Sequence, residues 1–290
     1  MSWVTSLERW VSRRLQKKGF VSREVATSVS RIHIHDKKGD GTLPPLVLLH
    51  GITASGTTWA PMLMHFARHF KRVLVVDAPG HGFSEIPSQP LTAQLLFKGI
   101  AEVLNKELEE PAVICGNSLG GGGTLKYALE YPEMVKGIVL LSPAGAWMDE
   151  EQLVDFQEDF TFRSKKDTRE FLEKLYHKPP PFVPLLLSGE ILRRFNQEHI
   201  QQILDTVTED DFFKPDELST LDIPGVFFWG RSERILPSHS LTYYKQHLPP
   251  GIRVMEPEGF GHSPHLDDPA AIAKIVVELG QQVAAKQLTT

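Results

Sequence analysis

Four short apolar runs recur along the first half of the chain, each followed by a stretch of helical character. They are Val47-Leu48-Leu49, Val73-Leu74-Val75-Val76, Val113-Ile114-Cys115 and Ile138-Val139-Leu140-Leu141. None alternates with polar residues, so each reads as a strand buried on both faces. Helical patterns occupy 59–69, 91–108 and 121–131 between them. Strand, helix and strand in repetition predicts an α/β fold with a mostly parallel, twisted sheet flanked by helices, joined by right-handed crossovers. An alternating stretch from Val29 to His35 predicts an antiparallel start to that sheet.

The rhythm breaks at Trp147. Up to about Glu217 the sequence is charged, helical in character and interrupted by Pro179-Pro180-Pro181 and Pro184. Strands resume at Val226-Phe227-Phe228-Trp229 and Ile252-Arg253-Val254-Met255, and a closing helix runs over 269–285. A helical insertion between two core strands predicts a cap over the carboxyl edge of the sheet, where open α/β folds bind ligands. Phe160, Phe162, Phe171, Leu172, Leu175, Phe182, Val183, Leu185, Leu186 and Leu187 give that cap an apolar surface. It suits either an acyl group or packing onto the core.

Gly116-Asn117-Ser118-Leu119-Gly120 lies between a buried strand and a helix start. A Gly-x-Ser-x-Gly turn in that place lifts the serine hydroxyl above the sheet, and side chains at Gly116 and Gly120 would collide with neighbouring backbone. Ser118 is therefore the candidate nucleophile. Serine needs a base, and the base needs a third group to orient it. Of the twelve histidines, His262 and His265 fall between the last strand and the last helix. His262 is preferred because Gly259 and Gly261 let its loop bend. The candidate acid is Glu233, just after Phe228-Trp229-Gly230, with Asp149 and Glu150 as rivals and pairing to Arg231 or Arg234 as the bland alternative. Backbone N–H groups of Leu119 and Ile52 are the candidate oxyanion donors. No metal-ligand spacing or dinucleotide fingerprint is present, so no cofactor is expected.

A formal net charge of −5 argues against a nucleic-acid partner. The single cysteine, Cys115, excludes an intrachain disulfide and fits a reducing compartment. No apolar run is long enough to span a bilayer, and charges interrupt the N-terminus before it can read as a secretory signal. The expected location is cytoplasmic or peripheral to a membrane. Trp3, Val4, Leu7, Trp10, Val11 and Leu15 predict an amphipathic N-terminal helix that either lies on a membrane surface or packs on the protein body.

These motifs, with Leu49-His50-Gly51, the stretch from Asp77 to Ser84, and Trp229-Gly230, resemble the α/β-hydrolase family over about residues 25–285. The resemblance implies a catalytic triad in the order serine, acid, histidine, and a structural role for the Asp77–Ser84 turn. It divides the chain into an N-terminal helix (1–24), a core in two parts (25–146 and 218–290) and a helical cap (147–217). Leu141-Ser142-Pro143-Ala144-Gly145 and the proline-bearing cap further resemble monoacylglycerol lipase-like hydrolases, which implies an acylglycerol or medium-chain ester substrate. The family usually has Asp where this chain has Glu233. The expected activity is carboxylic-ester hydrolysis through an acyl-serine, lost as pH falls through the imidazole range. The alternatives are a carbon–carbon hydrolase of the meta-cleavage type and a non-catalytic ligand-binding protein of the same fold.

Overall fold

Successive residues of the central strands bury on opposite faces of one sheet, as a two-residue side-chain period requires. Within β3 (Leu46–Leu49), Leu46 and Leu48 join one apolar core while Val47 and Leu49 join the other. The same division holds in β4 (Arg72–Val76), β5 (Ala112–Asn117), β6 (Val135–Leu141) and β7 (Gly225–Phe228). With both faces covered, the middles of these strands cannot spare a position for a polar residue, hence the apolar runs; Arg72, Asn117 and Lys136 stand only at or next to strand ends.

The computed structural model describes residues 2–286. β1 (Val21–Ala26) and β2 (Arg31–Lys38) precede β3, β8 (Ile252–Met255) closes the sheet, and the spatial order is β1-β2-β4-β3-β5-β6-β7-β8. β2 pairs antiparallel with β1 and β4, and the strands from β4 to β8 are parallel. This is the mostly parallel α/β-hydrolase arrangement expected. β1 was not anticipated: its start overlaps the end of the segment assigned to the N-terminal helix, and its half-exposed Val-Ser-Arg-Glu-Val-Ala gives little apolar signal.

α1 (Trp3–Lys17) leads into β1. α2 (Ala60–His69), α3 (Ala93–Glu107) and α4 (Leu119–Glu130) follow β3, β4 and β5. Between β6 and β7 come α5 (Glu150–Asp159), α6 (Lys165–Leu175), α7 (Val183–Phe195), α8 (Glu198–Asp205) and α9 (Pro215–Ser219). α10 (Ser238–His247), α11 (Pro264–Asp267) and α12 (Pro269–Lys286) complete the α-helices among the described residues. α2 and α12 cover one sheet face, with Met62, Leu63, Phe66, Ile272 and Val276 in its core. α3, α4 and α10 cover the other through Leu96, Ile100, Leu125 and Tyr244.

The inserted helices are held together by an aromatic cluster. Phe160, Phe162 and Phe171 surround Phe195 with ring centroids 4.7 to 5.9 Å away. Such edge-on and tilted contacts each add about 0.5–1.5 kcal/mol beyond area burial. Much of the cap's apolar content is therefore spent on the cap's own packing.

α1 divides the stripe expected of it. Leu15 is buried and Val11 packs beside it, whereas Trp3, Leu7 and Trp10 are exposed. No helix among the described residues is long and apolar enough to cross a membrane.

Candidate active site

Ser118 stands between β5 and α4 with φ 55° and ψ −119°, a conformation few non-glycine residues adopt. The strain persists because the surroundings leave no alternative. A Cβ on Gly116 would overlap the Gly120 carbonyl, and one on Gly120 would overlap the Leu49 carbonyl. The Ser118 N–H is held by the Leu141 carbonyl at 3.0 Å, and its own carbonyl accepts from Gly122 and Ala144. The hydroxyl-bearing residue is thus fixed on three sides before any ligand arrives.

His262 and Glu233 meet. His262 Nδ1 lies 2.8 Å from Glu233 Oε2, and both side chains are nearly excluded from solvent. Glu233 Oε1 accepts from the Ile235 and Leu236 N–H groups at 2.8 and 3.1 Å. Burial alone would raise the Glu233 pKa, but the His262 imidazole and the Ile235 N–H hold it below the ordinary carboxylate range. An ionised acceptor fixes the proton on Nδ1 and leaves Nε2 as the basic nitrogen. The two loops are also tied through backbone: Ser232 N–H donates to Phe260 and Arg231 N–H to Pro257. Arg231 instead pairs with Glu258, and Arg234 donates to the carbonyls of Glu173 and Tyr176, so neither arginine takes Glu233.

The rival residues have other duties. Asp149 is exposed and caps α5, accepting from Gln152 N–H at 2.9 Å, and Glu150 is exposed in the first turn. His265 is buried and stacked on Trp59 with ring centroids 4.3 Å apart. Burial, helped by His262 and His50, lowers its pKa to about 3. His50 donates from Nδ1 to the Gly51 carbonyl and accepts at Nε2 from Ala78 N–H, a neutral strut between two loops. Asp77 anchors the following turn, accepting from Gly56, Phe83 and His33. Burial would raise its pKa, yet His33, His50 and the Gly56 N–H bring it down to about 2.

Asn117 joins the serine turn to the histidine loop, a role the sequence did not suggest. Its amide donates to the carbonyls of His262 and Leu141, each at 2.9 Å. A buried asparagine at the end of an otherwise apolar strand must find such partners, and that was the available signal. Asp267 does similar work, accepting from Gly261 N–H at 2.7 Å and His177 N–H at 3.0 Å, so the histidine loop is pinned to the segment after α6.

Ile52, Ser118 and Leu119 line one cavity of about 620 Å³. Gly51 lies against the serine, since a Cβ there would come within 3.3 Å of Ser118 Cβ. The loop that carries Ile52 continues into Thr53, at φ 57°, whose carbonyl accepts from Arg194 on α7 at 2.9 Å. Arg194 also binds Glu8 of α1 at 2.7 Å and Glu190 at 2.9 Å. One half-buried guanidinium therefore ties together the N-terminal helix, the inserted helices and the loop beside the serine.

The cavity's apolar lining includes Leu96, Phe97, Phe156, Phe160, Ile203 and Phe213. Of the ten apolar cap residues that suit either an acyl group or packing onto the core, Phe160 alone lines this cavity; Phe182, Leu185 and Leu186 face outward. Charged residues lining the same space are mainly acidic: Glu102, Glu130, Asp210, Asp211 and Glu217 against Lys98 and Lys126. Among the described residues, no group of three or more His, Cys, Asp or Glu side chains is placed to hold a metal ion.

Comparison with known proteins agrees with this architecture. Residues 44–269 match the family described as the alpha/beta hydrolase fold. A pimeloyl-[acyl-carrier protein] methyl ester esterase of Nitrosomonas europaea is 28% identical over 254 residues, covering 83% of this chain and 96% of that protein. A 2-hydroxy-6-oxononadienedioate/2-hydroxy-6-oxononatrienedioate hydrolase of Burkholderia vietnamiensis is 27% identical over 221 residues, covering 71% and 76%. The crystal structure of carboxylesterase CesB from Bacillus subtilis superimposes with a TM-score of 0.76 at 20% identity, covering 95% of this chain and 97% of that one.

Proposed function

The chain belongs to the α/β-hydrolase fold family, and from that premise we propose that it hydrolyses carboxylic esters with an apolar acyl group, through an acyl enzyme at Ser118. The observation that carries the reading is the Glu233–His262 pair, 2.8 Å apart, whose loop is bonded by Asn117 to the turn bearing Ser118. Ser118 Oγ attacks the ester carbonyl while His262 Nε2 takes its proton. The oxyanion is received by the N–H groups of Ile52 and Leu119, where one such donor contributes about 3–4 kcal/mol. His262 then gives its proton to the departing alkoxide. Water, activated by the same imidazole, attacks the acyl-serine and restores the hydroxyl.

The acyl chain occupies the apolar part of the cavity, whose volume falls in the range of about 300–1,000 Å³ usual for small-molecule sites. An acylglycerol or medium-chain ester suits this shape, and the helices over 147–217 act as the cap that keeps water out. Similarity to the dienedioate hydrolase keeps carbon–carbon cleavage as a second reading. A dicarboxylate ligand, however, would face more acidic than basic residues in this cavity.

The test is labelling by a fluorophosphonate, followed by rates on p-nitrophenyl esters of graded chain length. Wild type should label and Ser118→Ala should not, and the rates should peak beyond acetate. A folded wild-type chain that neither labels nor cleaves any ester would refute the proposal.

A further inference from the structure

α1 carries a second apolar stripe that the fold does not use. Trp3, Leu7 and Trp10 follow one another at four- and three-residue steps, and Arg14 and Lys17 continue the same line. The packing face, with Leu15, Ser12 and the Glu8 carboxylate, lies elsewhere on the helix. α7 adds Phe182, Leu185 and Leu186 at its start, and the six apolar side chains are between 47% and 72% exposed. The two helices are linked through Arg194, which binds Glu8 on α1 and Glu190 one turn beyond Leu186 on α7. Monomeric proteins seldom leave this much apolar surface in one region without a partner.

The charges beside the stripe say which partner. α1 has four basic side chains, Arg9, Arg13, Arg14 and Lys17, and a single acid. That acid, Glu8, is turned inward and taken by Arg194 and Ser55, so its charge is not offered outward. The Arg14 guanidinium sits 4.7 Å over the Trp10 ring, joining a cation to an indole at the surface. Indoles flanked by arginine and lysine match the boundary between acyl chains and anionic headgroups, where the ring is half immersed and the cation meets phosphate.

We propose that this α1–α7 face docks on a lipid surface bearing anionic headgroups. The docking goes beyond the hydrolytic reading and does not depend on the chemistry at Ser118. It brings an enzyme of apolar esters to the phase in which such esters collect, with Arg194 linking the docked helices to the Thr53 loop.

Flotation of the full chain with phosphatidylcholine vesicles, with and without phosphatidylglycerol, tests the proposal. Wild type should float with the anionic vesicles and bind the neutral ones about tenfold less well. W3A/W10A should weaken anionic binding about tenfold or more while hydrolysing a short soluble ester at the wild-type rate. R13E/R14E/K17E, which alters only exposed side chains, should abolish the preference for phosphatidylglycerol and decides the matter if W3A/W10A does not fold. Ser118→Ala should float as wild type does, so loss of activity and loss of docking are read separately. The proposal is overturned if wild type stays unbound on both vesicles, or if both variants float undiminished. It is overturned equally if wild type is a dimer that W3A/W10A dissociates, because a second copy then covers the face.

Discussion

Replacing Glu233 with Gln should disable the site without disturbing the fold, and the structure fixes how far. The carboxylate has two separate duties: Oε1 accepts from Ile235 and Leu236 N–H, and Oε2 faces His262 Nδ1. Only an oxygen can satisfy the two backbone donors, so the glutamine carbonyl must take that place. Its NH2 then points at Nδ1, and a donor there selects the tautomer protonated on Nε2. That nitrogen can no longer accept the Ser118 proton. The expected loss in kcat/KM is about 10⁴-fold, the size seen when a triad acid becomes its amide, or about 5.4 kcal/mol of transition-state stabilisation. Stability should change by no more than about 1 kcal/mol, because every donor keeps a partner and a buried charge is removed.

The assay is initial rates on p-nitrophenyl butyrate across pH, with thermal melts as the check on folding. Glu233→Asp preserves the charge but falls one methylene short, so a loss of about 10–100-fold is expected from misplacement alone. Asp149→Asn is the control, since asparagine caps a helix as well as aspartate does, and its rate should stay within about twofold. Glu233→Gln retaining more than about a tenth of wild-type kcat/KM in a folded protein would refute the reasoning. So would a larger loss in Asp149→Asn.

Three further outcomes follow from the same contacts. Asn117→Ala leaves the Leu141 carbonyl its bond from Ser118 N–H but orphans the His262 carbonyl. It should cost about 1–3 kcal/mol in a urea melt and about 100-fold in kcat through a displaced imidazole; unchanged kcat would remove Asn117 from the positioning machinery. Arg194→Met leaves the Glu8 carboxylate only the Ser55 hydroxyl, while Glu190 keeps Arg193, and should destabilise by about 3 kcal/mol. Adding Glu8→Gln should return at least about 1 kcal/mol of that, and strict additivity in the double-mutant cycle would deny the coupling. Burial lowers the pKa of His81 and His265 to about 3 and that of His35 to about 4. The unfolded chain therefore binds more protons as pH drops below about 6.5, the ordinary histidine value. Stability is fully present above that pH and should fall toward pH 4 by up to about 1.4 kcal/mol per unit for each histidine; a flat melting temperature across that range would contradict it.

What could be read from the sequence follows from what leaves a local trace. Strands buried on both faces must be apolar through their middles, so β3 to β7 announce themselves. The serine turn does too, because the crowding around Gly116 and Gly120 permits nothing larger. β1 leaves no such trace, being a half-exposed edge strand with Ser22, Arg23 and Glu24 at its middle. The acid could have been narrowed further: Asp149 followed by Gln152 spells a capping box, which commits Asp149 to α5. Arg194 could not have been found, since its bond to Glu8 spans 186 residues and no local pattern encodes a partner that distant.

The N-terminal helix shows why periodicity alone cannot assign a face. Trp3, Val4, Leu7, Trp10, Val11 and Leu15 form one broad stripe on a helical projection, which suits packing and membrane contact equally. The fold divides it, keeping Val11 and Leu15 against the body and leaving both tryptophans outside. Packing is thus accounted for by one edge of the stripe and offers no reason for the other. A helix that merely covered the core would reach the same stability with polar residues in place of Trp3, Leu7 and Trp10. Their cost in exposed apolar area needs a separate cause, and the inward-turned Glu8 beside outward-facing Arg13, Arg14 and Lys17 gives that cause a sign.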